Sequence, residues 1–412
     1  MSLARSPLSR WALAAWAFAG LAAPPAVTAA DWPCWRGPKR NGVSDETDWL
    51  DRWPAEGPPV AWKASVGTGY SSFAVAGGRV FTLGNTDHTD TVFCLDAETG
   101  KLLWSHAYPA DLGDRFFAGG PTSTPTVDGD RVFTLGRWGD CFCFEAATGK
   151  VIWTKNVATE TGIRVPGWGF SGSPLVHGDR LVLNVGEAGL ALEKATGRRV
   201  WLSGNQEAGY STPLPVPRGD GWDILLGSGK AYLAVDVATG KERWRIRWVT
   251  QYGCNAADPV VDGDRVFIST GYGKGGVLLR SGDGPEPEVI WRGKVLATQM
   301  SPSVLIDGHL YGADGDTGKQ GPLKCVVFAT GEERWAHPGF GTGAVTAAAG
   351  RLIALSERGE LMVAPATPKG FAPTARAQVL GGQCWTVPVL AHGRLFCRNA
   401  EGDVVCLDVR KP

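Results

Sequence analysis

Apolar and polar positions along the chain alternate in short stretches that are separated by glycine-containing turns. In residues 126–133, two runs of β-forming residues flank Asp128-Gly129. Asp-Gly between such runs is a strong signal for a tight β-hairpin. Similar turns follow at 262–263 and 307–308, and other pairs containing glycine hold this place at 77–78, 177–178, 349–350 and 392–393. The pattern predicts many short antiparallel hairpins rather than helices.

A tryptophan ends most units of this pattern at a nearly constant interval. The clearest copy is Asp96-x-x-Thr99-Gly100-Lys101-x-x-Trp104. The marker tryptophans are Trp62, Trp104, Trp153, Trp201, Trp244, Trp291 and Trp335, with spacings of 42, 49, 48, 43, 47 and 44 residues. Four short strands in about 45 residues have the size of a propeller blade. The flat indole suits the space between two neighbouring blades.

The hairpins group into eight units. The units begin near Ser72, Thr124, Ser173, Thr212, Asp258, Ser301, Ala344 and Val387. The last unit is one strand short, whereas segment 59–64, which carries Trp62, is a lone strand with no unit before it. We therefore predict an all-β fold over residues 31–412: an eight-bladed propeller of four-stranded antiparallel blades, closed by the N-terminal strand, which leaves no open sheet edge. Seven blades are the alternative, because the seventh unit has lost both Thr-Gly and Trp.

The first thirty residues differ from the rest. Arg5 and Arg10 precede an apolar run of about a dozen residues, and small residues lead up to Asp31. This order is typical of a cleaved secretory signal over residues 1–30, with an N-terminal membrane anchor as the alternative. We expect a periplasmic or secreted protein with no membrane span after signal cleavage. Lys+Arg and Asp+Glu are both 41, so no basic excess points to nucleic acid.

The repeat of residues 96–104 resembles the tryptophan-docking motif of pyrroloquinoline-quinone (PQQ) dependent dehydrogenases. Asp31-Trp32-Pro33 and Val60-Ala61-Trp62 resemble the opening of that superfamily. The resemblance covers the mature chain and implies an eight-bladed quinoprotein alcohol dehydrogenase-like propeller. The same repeat builds BamB-like non-catalytic propellers, which are closer in length, so the fold alone does not imply chemistry.

As a family, the large quinoprotein dehydrogenases hold PQQ with Ca²⁺ on the propeller axis. They use a carboxylate base, a stacking Trp and a disulfide between adjacent cysteines. This chain has no adjacent Cys pair, and it is shorter than those enzymes. We therefore expect no cofactor and no enzymatic activity, with a PQQ- and Ca²⁺-dependent alcohol or sugar dehydrogenase as the alternative.

The segments that precede each inner strand are expected to line the mouth of the axial channel. Their small hydroxyls and aromatic rings form a plausible pocket. The candidate cofactor- or ligand-binding residues are Tyr70, Ser71, Trp168, Tyr210, Tyr252, Asn255 and Trp385. Asp258 is the one carboxylate where most units have Ser or Thr, so it is the alternative catalytic base and, with Asn255, the alternative metal ligand. A turn-capping role for Asp258 and packing roles for the aromatic residues compete with these interpretations.

The cysteines favour packing over chemistry. Cys94, Cys143, Cys325 and Cys406 share one place in the third strand of four units, where two other units have Ala. Such a slot is a small buried position. If Glu401-Gly402 forms a two-residue turn, Cys397 faces Cys406, and an oxidising compartment would permit a disulfide.

Taken together, the sequence favours an extracytoplasmic, non-catalytic binding or scaffold protein. Its expected partner is an envelope protein or a small ligand at the channel mouth.

Overall fold

The computed structural model of the protein describes Met1 and residues 30–115, 117–282 and 284–411. The predicted signal segment lies almost wholly outside the described residues. Within them, no helix is long and apolar enough to cross a membrane.

Eight β-sheets, each built around one repeat unit, form the blades of a propeller. Before the first blade come β1 (Val43–Ser44) and β2 (Val60–Ser65). Blade 1 is β3 (Ala74–Ala76), β4 (Arg79–Thr86), β5 (Thr89–Asp96) and β6 (Leu102–Pro109); blade 2 is β7 (Thr126–Asp128), β8 (Arg131–Leu135), β9 (Asp140–Glu145) and β10 (Val151–Asn156). Blade 3 is β11 (Leu175–His177), β12 (Arg180–Leu183), β13 (Leu190–Glu193) and β14 (Arg199–Leu202); blade 4 is β15 (Leu214–Arg218), β16 (Gly221–Gly227), β17 (Ala231–Asp236) and β18 (Glu242–Arg247).

The second half of the chain repeats this plan. Blade 5 is β19 (Val260–Asp262), β20 (Arg265–Thr270), β21 (Gly275–Arg280) and β22 (Glu288–Gly293); blade 6 is β23 (Val304–Ile306), β24 (His309–Ala313), β25 (Leu323–Val327) and β26 (Glu333–His337). Blade 7 is β27 (Ala344–Ala348), β28 (Arg351–Leu355), β29 (Glu360–Pro365) and β30 (Ala375–Gln378); blade 8 begins with β31 (Val389–Ala391), β32 (Arg394–Arg398) and β33 (Asp403–Asp408). One short helix, α1 (Val157–Thr161), and a 3-10 turn at Gln251–Gly253 interrupt the loops. The prediction of eight blades is confirmed, and the seven-bladed alternative is wrong.

The N-terminal strand closes the ring, as predicted. Strand β2 pairs antiparallel with β33, and Trp62 lies opposite Cys406. Because β2 supplies the fourth strand of blade 8, this blade joins residues 60–65 to residues 389–408.

A buried arginine joins blade 8 to blade 1 at the same seam. The guanidinium of Arg398, which is 0% exposed, donates to the carbonyl oxygens of Ser71 at 2.9 Å and Leu83 at 2.8 Å, and to the hydroxyl of Thr82 at 3.1 Å. Burial lowers the pKa of Arg398 to about 9. Its hydrogen bonds to blade 1 compensate for lost hydration.

The marker tryptophans lie between blades. The indole N–H of Trp62 donates to the carbonyl oxygen of Ala97 at 3.1 Å, and that of Trp104 donates to Ala146 at 2.9 Å. Trp153, Trp201, Trp291 and Trp335 make equivalent bonds to Lys194, Val237, Phe328 and Thr367. Gly100 explains why the turn needs glycine: its φ is +70°, and a Cβ atom there would lie 2.6 Å from the Trp62 ring.

Blade 7 has no marker tryptophan, and the N-terminal segment fills its place. Trp49 is buried in the core that blades 7 and 8 share, against residues such as Leu361 and Leu407. Strand β1 also adds to blade 7, pairing parallel with β27. The segment before β2 therefore compensates for the most divergent repeat.

The suggested disulfide between Cys397 and Cys406 is wrong. Cys397 pairs with Val405, and Cys406 pairs with Phe396. The N–H of Asn399 donates to the carbonyl oxygen of Asp403 at 3.1 Å, so the loop between the two strands contains three residues, 400–402, and not the two that were predicted. A one-residue change of register moves a side chain to the other face of the sheet. All nine cysteines are buried and free.

Candidate functional site

The segment before β2 closes one end of the axial channel. Trp32 forms a β-bridge with Val75 of blade 1, and the carbonyl oxygen of Pro33 accepts from Val127 of blade 2 at 2.7 Å. Further along, the segment contacts blades 5, 6, 7 and 8 through Trp35, Arg36, Val43 and Glu46. We call residues 31–46 the plug. It covers the face of the propeller that carries the first hairpin turn of each blade.

A belt of side-chain acceptors runs from blade 1 to blade 5 along the channel wall, above the plug. The backbone N–H of Ser72 donates to Thr124 Oγ1 at 3.1 Å, and that of Thr124 donates to Ser173 Oγ at 2.9 Å. The backbone N–H of Ser173 donates to Thr212 Oγ1 at 3.0 Å, and that of Thr212 donates to Asp258 Oδ1 at 2.7 Å. Each residue stands just before the inner strand of its blade. Asp258 therefore does in blade 5 what Ser or Thr does in the blades before it.

The second oxygen of Asp258 holds the plug. Trp35 Nε1 donates to Asp258 Oδ2 at 2.6 Å, and only 7% of Asp258 is exposed. Burial raises the pKa of Asp258, and the positive charge of Arg36 opposes that rise. Arg36 is itself buried, its pKa lowered by burial to about 10, and it donates to Ser303 O at 2.7 Å. A carboxylate is needed here because one oxygen serves the belt while the other serves the plug.

Beyond the belt, the channel widens into a cavity of about 250 Å³ that opens on the face opposite the plug. Its floor includes Trp35 and Asp258. Its walls are mainly aromatic and small polar side chains: Tyr70, Phe117, Thr122, Trp168, Ser171, Tyr210, Tyr272, Gln299, Met300 and Trp385. An apolar cavity with a few polar groups is the usual form of a ligand site.

One wall is a stacked aromatic pair. The rings of Tyr70 and Trp385 have centroids 5.0 Å apart and an interplanar angle of 23°. Tyr70 donates its hydroxyl to Gln383 Oε1 at 2.6 Å, and Trp385 donates its indole N–H to Glu357 Oε1 at 3.1 Å. Burial raises the pKa of Tyr70 to about 12, so this hydroxyl stays protonated at neutral pH. The pair presents a fixed apolar face.

The opposite wall reaches the outer surface as an aromatic series. Trp168 meets Tyr210 and Tyr252 edge-on, with centroids 5.7 Å and 6.0 Å away. Tyr252 meets Tyr272 edge-on at 5.7 Å, and Tyr272 accepts a hydrogen bond from Gln299 at 3.1 Å. Burial raises the pKa of Tyr210. The series runs from the cavity to the exposed ring of Tyr252.

The structure brings most of the predicted site residues together. Tyr70, Trp168, Tyr210, Asp258 and Trp385 line the cavity, and Tyr252 stands at its rim. Ser71 and Asn255 are buried in the scaffold. Ser71 Oγ accepts from Leu83 N at 3.2 Å, and the Asn255 amide donates to the carbonyl oxygens of Ser228 and Trp248 at 2.8 and 3.0 Å.

Sequence reasoning missed Trp35, Phe117 and Tyr272. Trp35 lies in the plug, outside the repeats, so no position in a blade could have pointed to it. Tyr272 stands in the turn before β21, and the left-handed backbone it needs, with φ +57°, is rare for a large residue. The glycines on both sides of Tyr272 were the available signal for an unusual turn.

The residues present do not fit the calcium site of a quinone enzyme. Ca²⁺ takes six to eight oxygen ligands. Both oxygens of Asp258 already accept hydrogen bonds, and the Asn255 amide is buried and bonded to the backbone. Among the described residues, no group of three or more His, Cys, Asp or Glu is placed to hold a metal ion.

They also do not fit an anionic quinone. Arg36 lies beneath the cavity floor, where its Nη2 donates to carbonyl oxygens of Asn41 and Ser303 at 3.0 and 2.7 Å. The walls offer neutral rings and hydroxyls in place of a cation for the PQQ carboxylates. No step can therefore be derived through PQQ at this site.

Solved structures share this architecture. The crystal structure of BamB from Moraxella catarrhalis is 15% identical, with a TM-score of 0.63, and covers 85% of this chain and 99% of its own. A europium-containing methanol dehydrogenase is 14% identical, with a TM-score of 0.67, over 92% of this chain and 89% of its own. The quinohemoprotein alcohol dehydrogenase from Comamonas testosteroni is 14% identical, with a TM-score of 0.66, over 93% and 81%. At such identities the likeness shows the fold alone. No curated protein matches the chain significantly.

The fold and the repeats define an eight-bladed propeller of the PQQ-repeat class with a cavity on its axis. A family model described as outer membrane protein assembly factor BamB matches residues 51–122 and 110–337. The chain belongs to this BamB-like family.

Proposed function

We propose that the protein is an extracytoplasmic, non-catalytic propeller that binds an envelope protein at the open mouth of its channel. The family to which the chain belongs is named for outer membrane protein assembly. The signal-like first thirty residues support a periplasmic or secreted location. One observation carries the proposal. Asp258, the carboxylate at the cavity floor, accepts a hydrogen bond from the belt with one oxygen and from the plug with the other.

A carboxylate with both oxygens occupied and buried beneath the cavity is badly placed to abstract a proton. The arrangement instead makes Asp258 a fixed part of the scaffold. The open rim, by contrast, presents aromatic rings of the kind that anchor protein interfaces.

A second candidate function is that of a PQQ- and Ca²⁺-dependent alcohol or sugar dehydrogenase. The stacked face of Tyr70 and Trp385 within an axial cavity favours it, because a planar ligand can pack there. To separate the two functions, the purified protein is incubated with PQQ and Ca²⁺, and reduction of an electron-acceptor dye is followed with a panel of alcohols and sugars. We expect no turnover. Turnover that Asp258→Asn abolishes would replace the scaffold function with the dehydrogenase.

Partner binding is tested directly in the envelope of the source cell. A photo-crosslinking amino acid is placed at Tyr252 on the open rim or, as a matched control, at exposed Trp222 near a hairpin turn of blade 4. We expect a discrete adduct with an envelope protein at position 252 and none at 222. Equal labelling at both positions would count against a specific partner at the mouth.

A further inference from the structure

Two cationic side chains share one indole at the boundary of blades 4 and 5, beside the open mouth, and a third, Arg247, is close enough for its charge to act on Lys274. Lys274 Nζ lies 4.8 Å from the centroid of the Trp248 ring, and the guanidinium carbon of Arg292 lies 5.4 Å from it. Arg247 directly precedes Trp248. Burial lowers the pKa of Lys274, and the charges of Arg292 and Arg247 lower it further. Cations over an indole are attracted to its face, but three like charges still repel one another.

The neighbouring boundary shows how such a charge is normally neutralised. Arg245 follows Trp244 as Arg292 follows Trp291, and Arg245 pairs with Glu187 at 3.0 Å and with Glu242 at 2.5 Å. No carboxylate of the described residues forms an ion pair with Arg292, Lys274 or Arg247.

The corresponding turn of the next blade explains this difference. Glu187 lies in the turn between β12 and β13, whereas the turn between β16 and β17 carries Lys230, whose carbonyl oxygen accepts from Trp248 N at 2.8 Å. The acid that serves one boundary is replaced by a base at the next. The cations at the boundary of blades 4 and 5 are therefore left for an anion from outside the chain.

Exposed apolar groups follow Trp248 along the chain, and one of them, Tyr252, contacts the ring of Tyr272, two residues before Lys274. Although both residues are apolar, Tyr252 is 65% exposed and Val249 is 39% exposed on this open surface. The backbone of Tyr252 has φ +69° and that of its ring partner Tyr272 has φ +57°. A left-handed backbone is costly for an aromatic residue, and such strain concentrates at functional sites. This backbone strain is retained at the mouth, where it holds the rings of Tyr252 and Tyr272 together.

We propose that Arg247, Lys274, Arg292, Val249 and Tyr252, which we call the mouth patch, bind an acidic peptide segment of a partner protein. A carboxylate of the segment meets the cations, and a neighbouring apolar side chain packs on Tyr252 towards the cavity. This rests on the proposed function and adds the chemistry by which the partner is recognised. A small inorganic anion would satisfy the cations but leave Val249 and Tyr252 uncovered, so a peptide fits the patch better.

The test uses the full mature chain and four fluorescent peptides of equal length. One contains Asp, Glu and Phe; the second has Gly for Phe; the third has Asn and Gln for the acids; the fourth has Lys for the acids. Fluorescence anisotropy gives each Kd. We expect the acidic peptide with Phe to bind at least about tenfold more tightly than the other three, and its binding to weaken as salt is raised.

Charge reversal shows where the peptide binds. Lys274→Glu and Arg292→Glu are each expected to weaken binding by at least about tenfold, whereas Lys101→Glu, on a distant turn of blade 1, leaves it unchanged. Tyr252→Ala reduces binding of the Phe peptide and not that of its Gly analogue. The milder variants Lys274→Gln and Arg292→Gln should also weaken binding. Thermal melting of these variants shows whether they are folded like the wild type.

Two results would overturn the proposal. In the first, the acidic peptide with Phe binds no more tightly than the neutral or basic ones, or binds equally well to Lys274→Glu. In the second, vesicles containing phosphatidylglycerol bind to the patch while the peptides are not distinguished. If crosslinking from position 252 still succeeds, the proposed function stands and only the recognition chemistry is wrong.

Discussion

The two ends of the channel differ in burial, because the functional groups of the plugged end lie inside the scaffold and those of the open end are at least partly exposed to solvent. At the plugged end, the polar groups of Asp258 and Trp35 meet each other, and Arg36 is held by backbone carbonyl oxygens. At the open end, Tyr252 is exposed on a strained backbone, and Lys274 and Arg292 share one indole without an acid.

The difference separates stability from binding. Groups that satisfy one another inside the scaffold contribute to folding, and groups left unsatisfied at a rim are available to a partner. Substitutions at the plugged end should therefore change the free energy of unfolding. Substitutions at the open end should mainly change binding.

The largest effect is expected at Asp258. Asp258→Ala leaves the N–H groups of Thr212 and Trp35 buried without acceptors and Arg36 without its nearby negative charge, and it should cost about 3 kcal/mol. Asp258→Ser restores the belt acceptor of the other blades but not the plug contact, and it should cost about half as much. Urea unfolding measures both. Equal costs would mean that the belt contact contributes nothing.

The next effect is a pH dependence of stability from a buried carboxyl group inside blade 1. Burial raises the pKa of Asp90 to about 6, from an ordinary value of 3.8, while hydrogen bonds from Asn85 and Tyr108 oppose the rise. The folded state therefore binds a proton that the unfolded state has lost, and stability falls as pH rises from about 4 to about 6.

Asp90→Asn removes this titration. The variant should be more stable than the wild type by about 2 kcal/mol at pH 7 and nearly equal to it at pH 4. Urea unfolding across this range gives the difference directly. A difference that is constant with pH would show that Asp90 does not titrate in this window.

A smaller loss is expected for Trp35→Phe. The substitution keeps most of the ring but leaves Asp258 Oδ2 without its donor, at a cost of about 1.5 kcal/mol. The same change made in an Asp258→Ser background should cost less, because the acceptor is already absent. Exposed Trp222→Phe is the control. Additive costs in the double variant would argue against the Trp35–Asp258 bond.

The smallest effect has the opposite sign. Tyr252→Gly relieves a left-handed backbone and should raise stability by about 0.5 kcal/mol, while binding of the Phe peptide at the mouth patch is weakened. Tyr272→Gly should be destabilising despite its similar φ, since its ring lines the cavity and accepts from Gln299. Thermal melting of the two variants distinguishes these outcomes. A loss of stability in Tyr252→Gly would remove the argument from strain.

The fold was predictable because its information is local and periodic. Each Asp-x-x-Thr-Gly turn and each Trp predicts the same hairpin geometry. The repeat can therefore be recognised even though its copy in blade 7 is degenerate. Position within the repeat was also enough to predict that Tyr70, Tyr210 and Asp258 lie near the channel.

The remainder depended on long-range packing and on single-residue register. The partner of Asp258 is Trp35, which is 223 residues away and outside every repeat. The side-chain amide of Asn255, a candidate ligand, donates instead to the backbone carbonyl oxygen of Ser228 in a turn of blade 4. The Cys397–Cys406 disulfide failed because the loop after Arg398 is one residue longer than a two-residue hairpin turn.

The pairing of β2 with β33 also bears on the order in which the chain can mature. During synthesis, blades 1 to 7 can form as they emerge, but Val60–Ser65 has no sheet to join until Asp403–Asp408 has been made. Strand β2 thus waits for β33, and the closed ring is reached in a late step. A circular permutant that joins the residues after β33 to Asp31 by a short linker, and starts between two blades, would keep the plug and remove that wait.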